Sequence, residues 1–350
     1  MNNLETLSAD YILSIPLDRP EKLYKVKTEK EIKTLYRRLS MLWHPDRHPD
    51  SDTSNVFAHL KGLYETGLKK MEDGLWNKGK VIVFKDKSGK EYEMKYVSTH
   101  AFELGQCYIA NNFVAWVFAL DYQDLAENAV RRIESLKFAN DGMKKEMAKY
   151  LPEVHQVIRT DTSFIVVIKK DSGLVLLKDA LAHLGNRIEP RHAAWIISGM
   201  YHISCFLKYN HLMHGGITLD NYFINPQTHS AALLGGWWYT HEEKTMLKAL
   251  SQQAVDVAPV SLINKKQADC RLDLEMIRLA GRQILGDASG VYLNKNKDIP
   301  APMVNWLNGL ATKASAFEEY ETWQRKILKD SFGVRRFIEM KITPNDIYQN

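Results

Sequence analysis

The first quarter of the chain is organised around a short stretch that ends a predicted helix, Met41-Leu42-Trp43-His44-Pro45-Asp46-Arg47. Pro45 disfavours a helical conformation at His44 and cannot itself continue a helix. The His-Pro-Asp triplet is therefore predicted to lie on an exposed loop. The residues on either side predict which elements this loop connects.

An amphipathic helix is predicted immediately before the loop. Thr28 followed by Glu31 is typical of a capping box, in which each side chain binds the backbone of the other residue. Apolar residues then recur at helical spacing and form one stripe: Ile32, Leu35, Leu39 and Leu42. Three basic residues, Lys30, Lys33 and Arg37, each lie two positions before an apolar residue of the stripe. Two positions correspond to about 200° around the helix axis. The basic side chains are therefore expected to face away from the apolar stripe.

A second helix is predicted after the loop. Thr53 or Ser54 is suited to cap it, because Ser and Thr side chains accept hydrogen bonds from the first free backbone N–H groups. Its apolar face is expected to contain Phe57, Leu60, Tyr64 and Leu68. Two antiparallel helices of this length bury little apolar area, so the pair needs a larger partner or a short third helix.

Residues 36–47 resemble the J-domain signature, in which a tyrosine and a basic pair lead to an aromatic residue, His-Pro-Asp and a cation. Residues 57–68 are similar to the third J-domain helix, although the connection into Thr28 is shorter than usual and lacks the common glycine. The resemblance implies a co-chaperone that docks on an Hsp70-type (DnaK-like) chaperone and stimulates its ATPase. It places His44, Pro45 and Asp46 in the docking loop. It places the complementary positive face on Lys30, Lys33, Arg37, Arg38 and Arg47.

The overall composition is that of an ordinary soluble globular protein with two or three domains. The 350 residues are 45% hydrophobic and 25% charged, with a net charge of +5. This excess is too small to indicate nucleic acid as a partner. The longest apolar run, residues 113–120, is too short to span a bilayer. Three scattered cysteines and the lack of a signal pattern predict a cytoplasmic protein without disulfides or a zinc site.

Breaker residues near 74–80 predict a boundary, after which strands precede helices. A hairpin is predicted over 81–97, strands over 106–110 and 113–120, helical structure over 122–150, and a strand pair over 154–159 and 164–169. From residue 174 onward the pattern is mostly helical, including helices over 193–209 and 273–285. The predicted class is α+β: a J-domain over 1–76, a β-rich small lobe over 77–172 and a helical large lobe over 173–350.

Residues 214–224, His-Gly-Gly-Ile-Thr-Leu-Asp-Asn-Tyr-Phe-Ile, resemble a protein-kinase catalytic loop. Residues 232–237 follow at the distance of the kinase metal-binding strand, and Asp273 resembles the aspartate that opens a later large-lobe helix. The resemblance implies a bilobal kinase-like fold over roughly residues 80–340.

The residues at the chemical positions argue against catalysis. Phosphoryl transfer needs a carboxylate for the attacking hydroxyl, an Asp and an Asn on the metal ions, and a Lys on the phosphates. Gly216 stands at the catalytic aspartate and Gly235 or Gly236 at the metal aspartate, whereas Asn221 is retained. No lysine occurs in 114–118, and Gly105 stands alone where a glycine-rich loop is expected; the basic residues left as substitutes are Arg131, Arg132 and Lys137. The prediction is a pseudokinase without cofactor, catalytic residue or metal, which binds an unidentified client or assembly.

Two other functions remain open at this stage. One is a divergent active kinase or ATP-binding enzyme that a J-domain targets. The other is a scaffold whose J-like helices serve only assembly. His211 and His214 are interpreted as structural and not as metal ligands, and the aromatic run 237–239 as core packing. His192, His202 and His229 show no spacing that supports a site.

Overall fold

The computed structural model describes residues 7–26, 28–45, 51–72, 76, 80–312, 315–334 and 336–348, with only the backbone at 51, 52 and 72. The chain divides into two compact units, which are described separately. The first comprises Met1–Ile82 with Glu93–Lys95, and the second comprises Val83–Tyr92 with Tyr96–Asn350.

The first unit is helical. Its helices are α1 (Ala9–Ser14), α2 (Glu29–Leu42) and α3 (Ser51–Glu72), with a single 3₁₀ turn at Pro20–Lys22. The capping box predicted at Thr28 is confirmed, because its Oγ1 accepts from Glu31 N at 3.3 Å while the Glu31 carboxylate accepts from Thr28 N at 2.9 Å.

Contacts at two positions along the helices show that α2 and α3 run antiparallel. A Cβ on Gly67 would lie 2.5 Å from Ile32 Cδ1. Further along, the rings of Tyr36 and Tyr64 stack with centroids 4.1 Å apart. The short third helix that the pair needs is α1, which packs on α3, and Ile12 of α1 is fully buried.

Three details of this helical pair differ from the sequence prediction. Thr53 does not cap α3, because the helix begins at Ser51 and Thr53 is buried inside it. Leu42 was predicted to join the apolar stripe of α2 but is 36% exposed, because it lies in the last turn, where the helix ends. Of the predicted face of α3, Leu60 is fully buried while Phe57, Tyr64 and Leu68 are half-buried; the other buried positions of the helix are Thr53, Val56, Leu63 and Gly67.

A two-stranded hairpin, β1 (Val81–Lys85) and β2 (Glu91–Lys95), follows along the chain. The second unit then begins with a five-stranded antiparallel sheet in the order β3-β4-β5-β7-β6. Its strands are β3 (Ser98–Phe102), β4 (Gly105–Ile109), β5 (Phe113–Ala119), β6 (Val154–Arg159) and β7 (Ser163–Lys169). Strand β3 was missed in the sequence because its residues are partly exposed and do not form an apolar run.

Two helices connect β5 to β6. They are α4 (Gln123–Glu134) and α5 (Asp141–Met147), so the region predicted to be helical contains two helices with an interruption before Asp141. Asn140 caps α5 by accepting from Met143 N at 2.9 Å. Helix α4 packs on β5, β6 and β7 through its buried face of Ala126, Ala129 and Ile133.

The rest of the second unit is mostly helical, as predicted. Its longer helices are α6 (Leu177–His183), α7 (Pro190–Tyr209), α8 (Gln252–Val257), α9 (Val260–Lys265), α10 (Arg271–Ile284), α11 (Ala301–Asn308), α12 (Ala316–Thr322), α13 (Leu328–Phe332) and α14 (Pro344–Tyr348). Short strands lie between them: β8 (Val175–Leu176), β9 (Leu212–Met213), β10 (Tyr222–Asn225), β11 (Ser230–Leu233) and β12 (His241–Glu242). Thus a sheet-rich lobe precedes a helical lobe, and one continuous apolar core joins them.

Candidate functional site

The first candidate site lies at the end of α2 in the helical unit. Trp43 is the C-cap of the helix, and His44 follows it in a non-helical, exposed position. The His44 ring meets the edge of Phe57 on α3, with centroids 5.6 Å apart and an interplanar angle of 75°. Pro45 is half-buried, while Asp46 and Arg47 lie outside the described residues. The structure therefore describes one exposed member of the predicted triplet, held against α3.

The predicted positive face lies on the exposed side of α2. Lys30, Arg37 and Arg38 are exposed. The Lys33 ammonium pairs with Glu29 one turn earlier, and this hydrogen bond raises the pKa of Lys33. Four predicted cations are thus displayed on one helix without burial.

The packing beneath this face is specific. The Tyr24 hydroxyl is buried and donates to Leu60 O at 3.1 Å, so the segment before α2 is fastened to α3. Trp76 Nε1 donates to Val26 O at 2.8 Å. These long-range bonds tie the segment before α2 to α3 and to Trp76, which follows α3.

The second candidate site is the pair of glycine-containing loops in the second unit, at residues 214–221 and 235–239. The backbones of the two loops approach closely at the glycines. A Cβ built on Gly216 would lie 2.8 Å from Gly236 Cα and 3.0 Å from Gly236 O. Gly236 also has a positive φ of 81°, which side chains disfavour. The glycines at the predicted catalytic and metal positions therefore face one another so closely that neither position has room for a side chain.

Asp273, at the start of α10, binds the backbone of the first loop. Its carboxylate accepts from His214 N at 2.8 Å and from Gly215 N at 2.7 Å. The side chain is 2% exposed, and burial raises its pKa to about 7 although both backbone bonds act in the opposite direction. Asp273 was singled out in the sequence by its position alone, and the structure places it in contact with the loop.

His214 is a buried, neutral structural group. Its Nδ1 accepts from Gly216 N at 3.1 Å, so the proton of the neutral ring lies on Nε2. Burial lowers the pKa of His214 to about 3, and its ring packs edge-on against Trp237 at 4.8 Å. Among the described residues, no group of three or more His, Cys, Asp or Glu side chains is arranged to hold a metal ion.

Asn221, predicted from the sequence to be retained at a metal-binding position, hydrogen-bonds within and between the loops. Its Nδ2 donates to Gly216 O at 2.9 Å and to Thr218 Oγ1 at 3.0 Å. Its backbone carbonyl accepts from Leu234 N and Gly235 N at 3.1 and 3.2 Å. These bonds occupy the amide nitrogen and the main chain of Asn221 within the fold.

Aromatic side chains fill the space between the sheet and the second loop. Trp116 of β5 donates from Nε1 to Leu234 O at 3.0 Å. A Cβ on Gly235 would lie 2.4 Å from the Trp116 ring, so the indole lies where a side chain at position 235 would begin. Trp238 packs at 4.9 Å from Trp116, and Phe102 at 5.3 Å. Sequence reasoning missed this role of Trp116, because the residue reads as a strand core position.

The turn between β3 and β4 contains only Glu103 and Leu104, and it is fastened to the same loop region. Glu103 accepts from the Tyr239 hydroxyl through one oxygen and from Gln252 N at 3.0 Å through the other. This two-residue turn lies where a glycine-rich phosphate loop was considered. Glu103 was not identified from the sequence.

Two of the basic residues considered as lysine substitutes, Arg131 and Arg132, have other side-chain partners, and Lys137 is hydrogen-bonded through its backbone. Arg132 binds Glu242 at 2.6 Å, and Arg131 donates to Asn128 at 2.6 Å. The Lys137 backbone N–H donates to Asn210 at 2.7 Å.

The C-terminal helix α14 adds a contact at the opposite end of the sheet. The Tyr348 hydroxyl accepts from Leu176 N at 2.9 Å, and burial raises the pKa of Tyr348. Nearby, the His100 ring lies 3.0 Å from Asp179 of α6. The sheet, α6 and the tail are therefore joined by buried polar contacts.

No protein-family model matches the sequence, and no curated protein matches it. Among solved structures, the chain is similar to the structure of vaccinia related kinase 3, with a TM-score of 0.47 and 15% identity. The match covers 69% of this chain and 90% of that chain. No helix within the described residues is long and apolar enough to cross a bilayer.

Proposed function

We propose that the chain is a J-domain co-chaperone that docks on an Hsp70-type chaperone and stimulates its ATP hydrolysis. The observation that carries the proposal is the exposed His44 at the end of α2, fixed beside Phe57 of the antiparallel α3. A docking residue needs to be accessible and also held in one place, because ordering it on binding would reduce affinity. Asp46 and Arg47 complete the proposed motif in the sequence.

The cations of α2 support an acidic docking partner. Lys30, Arg37 and Arg38 are exposed along one helix that leads to His44. Charges arranged in this way raise the rate of encounter and select the orientation of docking, while contributing less to affinity. We expect the interaction to weaken with salt, because exposed charges are screened.

We propose further that the second unit is a kinase-like domain without phosphotransferase activity, which binds a client or an assembly. The support is geometric as well as chemical. Gly216 and Gly235 lack the carboxylates that the reaction needs, and close packing leaves no space to add them. Asn221 is bonded within the fold, and Trp116 occupies the adjoining space.

We propose a reducing, cytoplasmic location. The described cysteines, Cys107, Cys205 and Cys270, are all free thiols. Burial raises the pKa of each of them, which suppresses the reactive thiolate. Buried unpaired thiols are typical of intracellular proteins.

The decisive experiment measures the ATPase turnover of an Hsp70-type chaperone with the full chain added. We expect stimulation by the wild type and its loss with His44→Gln. The matched control is His183→Gln, which changes an exposed histidine of the second unit. Equal stimulation by wild type and His44→Gln would overturn the co-chaperone role and favour an assembly scaffold.

A separate experiment tests the second unit. We expect its thermal unfolding in the presence of ATP to be independent of Mg²⁺, because no carboxylate stands at Gly216 or Gly235 and Trp116 fills the space next to Gly235. We also expect Gly216→Asp to show no autophosphorylation, since the new side chain would collide with Gly236. A nucleotide-dependent rise in melting temperature together with phosphate transfer would favour the divergent-kinase alternative.

A further inference from the structure

A cavity of about 480 Å³ opens in the helical lobe, away from the glycine loops. It lies between α7, the β10–β11 turn, α13 and the segment that follows α13. Its volume is within the range of small-molecule sites. The proposed function makes no use of this cavity.

Flat rings form one wall of the cavity. The Trp195 indole stacks on the His229 ring with centroids 4.5 Å apart and an interplanar angle of 8°. Phe337 lies against the other face of His229 at 4.3 Å and 30°, and its side chain is 67% exposed. His229 has a positive φ of 53°, an uncommon conformation for a residue other than glycine. The β10–β11 turn thus places the His229 ring inside a stack whose outer ring, that of Phe337, is exposed to solvent.

The charged groups that line the cavity are all cations. They are Arg191, Lys329 and Arg336, and none of the described lining residues is an Asp or Glu. The Arg191 guanidinium lies 5.2 Å from the centroid of Phe332, which leaves its edge available for hydrogen bonds. Three cations with no carboxylate in the described lining favour an anionic ligand.

Several buried polar atoms around the cavity have no hydrogen-bond partner within the described part of the chain. They are His192 Nδ1, Trp195 Nε1, His202 Nε2 and His229 Nε2. Buried polar groups are nearly always paired, so four such atoms around one cavity require an explanation. Burial lowers the pKa of all three histidines, which keeps the rings neutral and able to donate or accept at pH 7. A purely apolar ligand would leave these atoms without partners.

We propose that this cavity binds a small organic anion that carries a planar ring. The cations at its mouth neutralise the anionic group, the ring packs against Phe337, the exposed outer member of the stack with His229 and Trp195, and the unpartnered nitrogens bind polar atoms of the ligand. A metal ion is a poorer fit, since the histidines are not arranged as a ligand set among the described residues. The proposal is independent of the co-chaperone role.

Calorimetric titration of the full chain tests the proposal with defined probes. The probes are phenyl phosphate, adenosine monophosphate and 4-hydroxybenzoate; inorganic phosphate and phenol represent the two halves of the expected ligand. We expect at least one ring-bearing anion to bind with a Kd of about 1 mM or tighter, and about tenfold more tightly than either half. Absence of binding by all three probes would overturn the proposal.

Variants assign any binding to this cavity. Lys329→Gln combined with Arg336→Gln changes two exposed residues, so the fold is retained, and we expect the affinity to fall about fivefold or more. Trp195→Leu removes the stacked ring and the free Nε1, and should weaken binding by a similar factor. The control is Arg325→Gln, an exposed cation nearby that pairs with Glu321 and does not line the cavity. Unchanged affinity in the double variant, or equal losses in the control, would overturn the assignment.

Discussion

The two candidate sites differ in whether their polar groups are exposed to solvent or buried. At the end of α2, His44 and the cations are exposed, and the helix beneath them is held by apolar and aromatic packing. In the glycine loops, His214, Asn221 and Asp273 are all buried and hydrogen-bonded to backbone groups of the loop.

This difference separates a surface whose polar groups remain accessible from a region whose polar groups are mostly bonded within the fold. Exposed polar groups contribute little to stability and remain available for binding. In the loops the Asp273 carboxylate, the Asn221 Nδ2 and the His214 Nδ1 are bonded within the fold and are unavailable to a ligand, whereas the buried His214 Nε2 has no partner among the described residues. We therefore expect changes in the loops to alter stability, and changes on α2 to alter function with a smaller effect on stability.

The largest expected effect is at the contact of the two loops. Gly236→Ala combines a positive φ with a collision at Gly216 O, where the new Cβ would lie 2.7 Å away. The conformation costs about 1–2 kcal/mol, and overpacking adds about 1–3 kcal/mol. The free energy of unfolding of the second unit should fall by the sum, as measured by denaturant titration and hydrogen exchange over residues 214–240.

The matched control for that variant is Gly185→Ala. Gly185 has a similar φ of 72°, but no atom lies within 4 Å of the point that an added Cβ would occupy. Only the conformational cost of about 1–2 kcal/mol should appear. Equal losses of unfolding free energy in the two variants would show that close packing of the two loops adds nothing to stability. The contrast drawn between the buried loops and the exposed α2 surface would then be wrong.

The second largest expected effect is a pH dependence of the free energy of unfolding, caused by the buried Lys170, which follows β7. Its Nζ donates to Asp171 O at 3.0 Å and Leu174 O at 2.8 Å, and burial lowers its pKa from 10.5 to about 8. Between these two values the unfolded chain binds more protons, so stability should rise with pH across that window. Across the whole window the free energy of unfolding should rise by about 3 kcal/mol, since one pKa unit corresponds to about 1.4 kcal/mol.

Urea titrations between about pH 7.5 and 10.5 measure this window. Lys170→Met should remove the rise. Lys33→Met on α2 provides the contrast, because the pKa of exposed Lys33 is raised by Glu29. Its stabilising contribution is present below the unfolded pKa and is lost as the pH rises through the folded value, so the sign is opposite. A rise that persists in Lys170→Met would mean that another group titrates there.

The smallest effect concerns the start of α2. Thr28→Ala removes the Oγ1 that accepts from Glu31 N, which should cost about 1 kcal/mol. Hydrogen exchange in the first turn of α2 should accelerate accordingly. Thr28→Ser retains the acceptor and should leave exchange nearly unchanged. Faster exchange at the end of α2 beside His44, with no change in the first turn, would contradict this account of the cap.

Much of the local structure could be predicted from the sequence. The capping box at Thr28, the helix end before Pro45, and the strand pairs around residues 106–119 and 154–169 depend on neighbours a few positions apart. Strand β3 was missed because partial exposure weakens its apolar pattern. The start of α3 was misplaced because Thr53 and Ser54 are also suited to cap a helix, whereas the helix already begins at Ser51.

The sequence by itself determined which side chains the loops lack and which cations α2 carries, since these are matters of residue type and spacing. Only the tertiary structure decided that Gly216 meets Gly236, that Trp116 occupies the space beside Gly235, and that scattered histidines line one cavity. Trp116 and its acceptor Leu234 are 118 positions apart, and no local pattern encodes such a contact. Close packing of distant segments is a property of the folded volume, so it becomes readable only when the chain is folded.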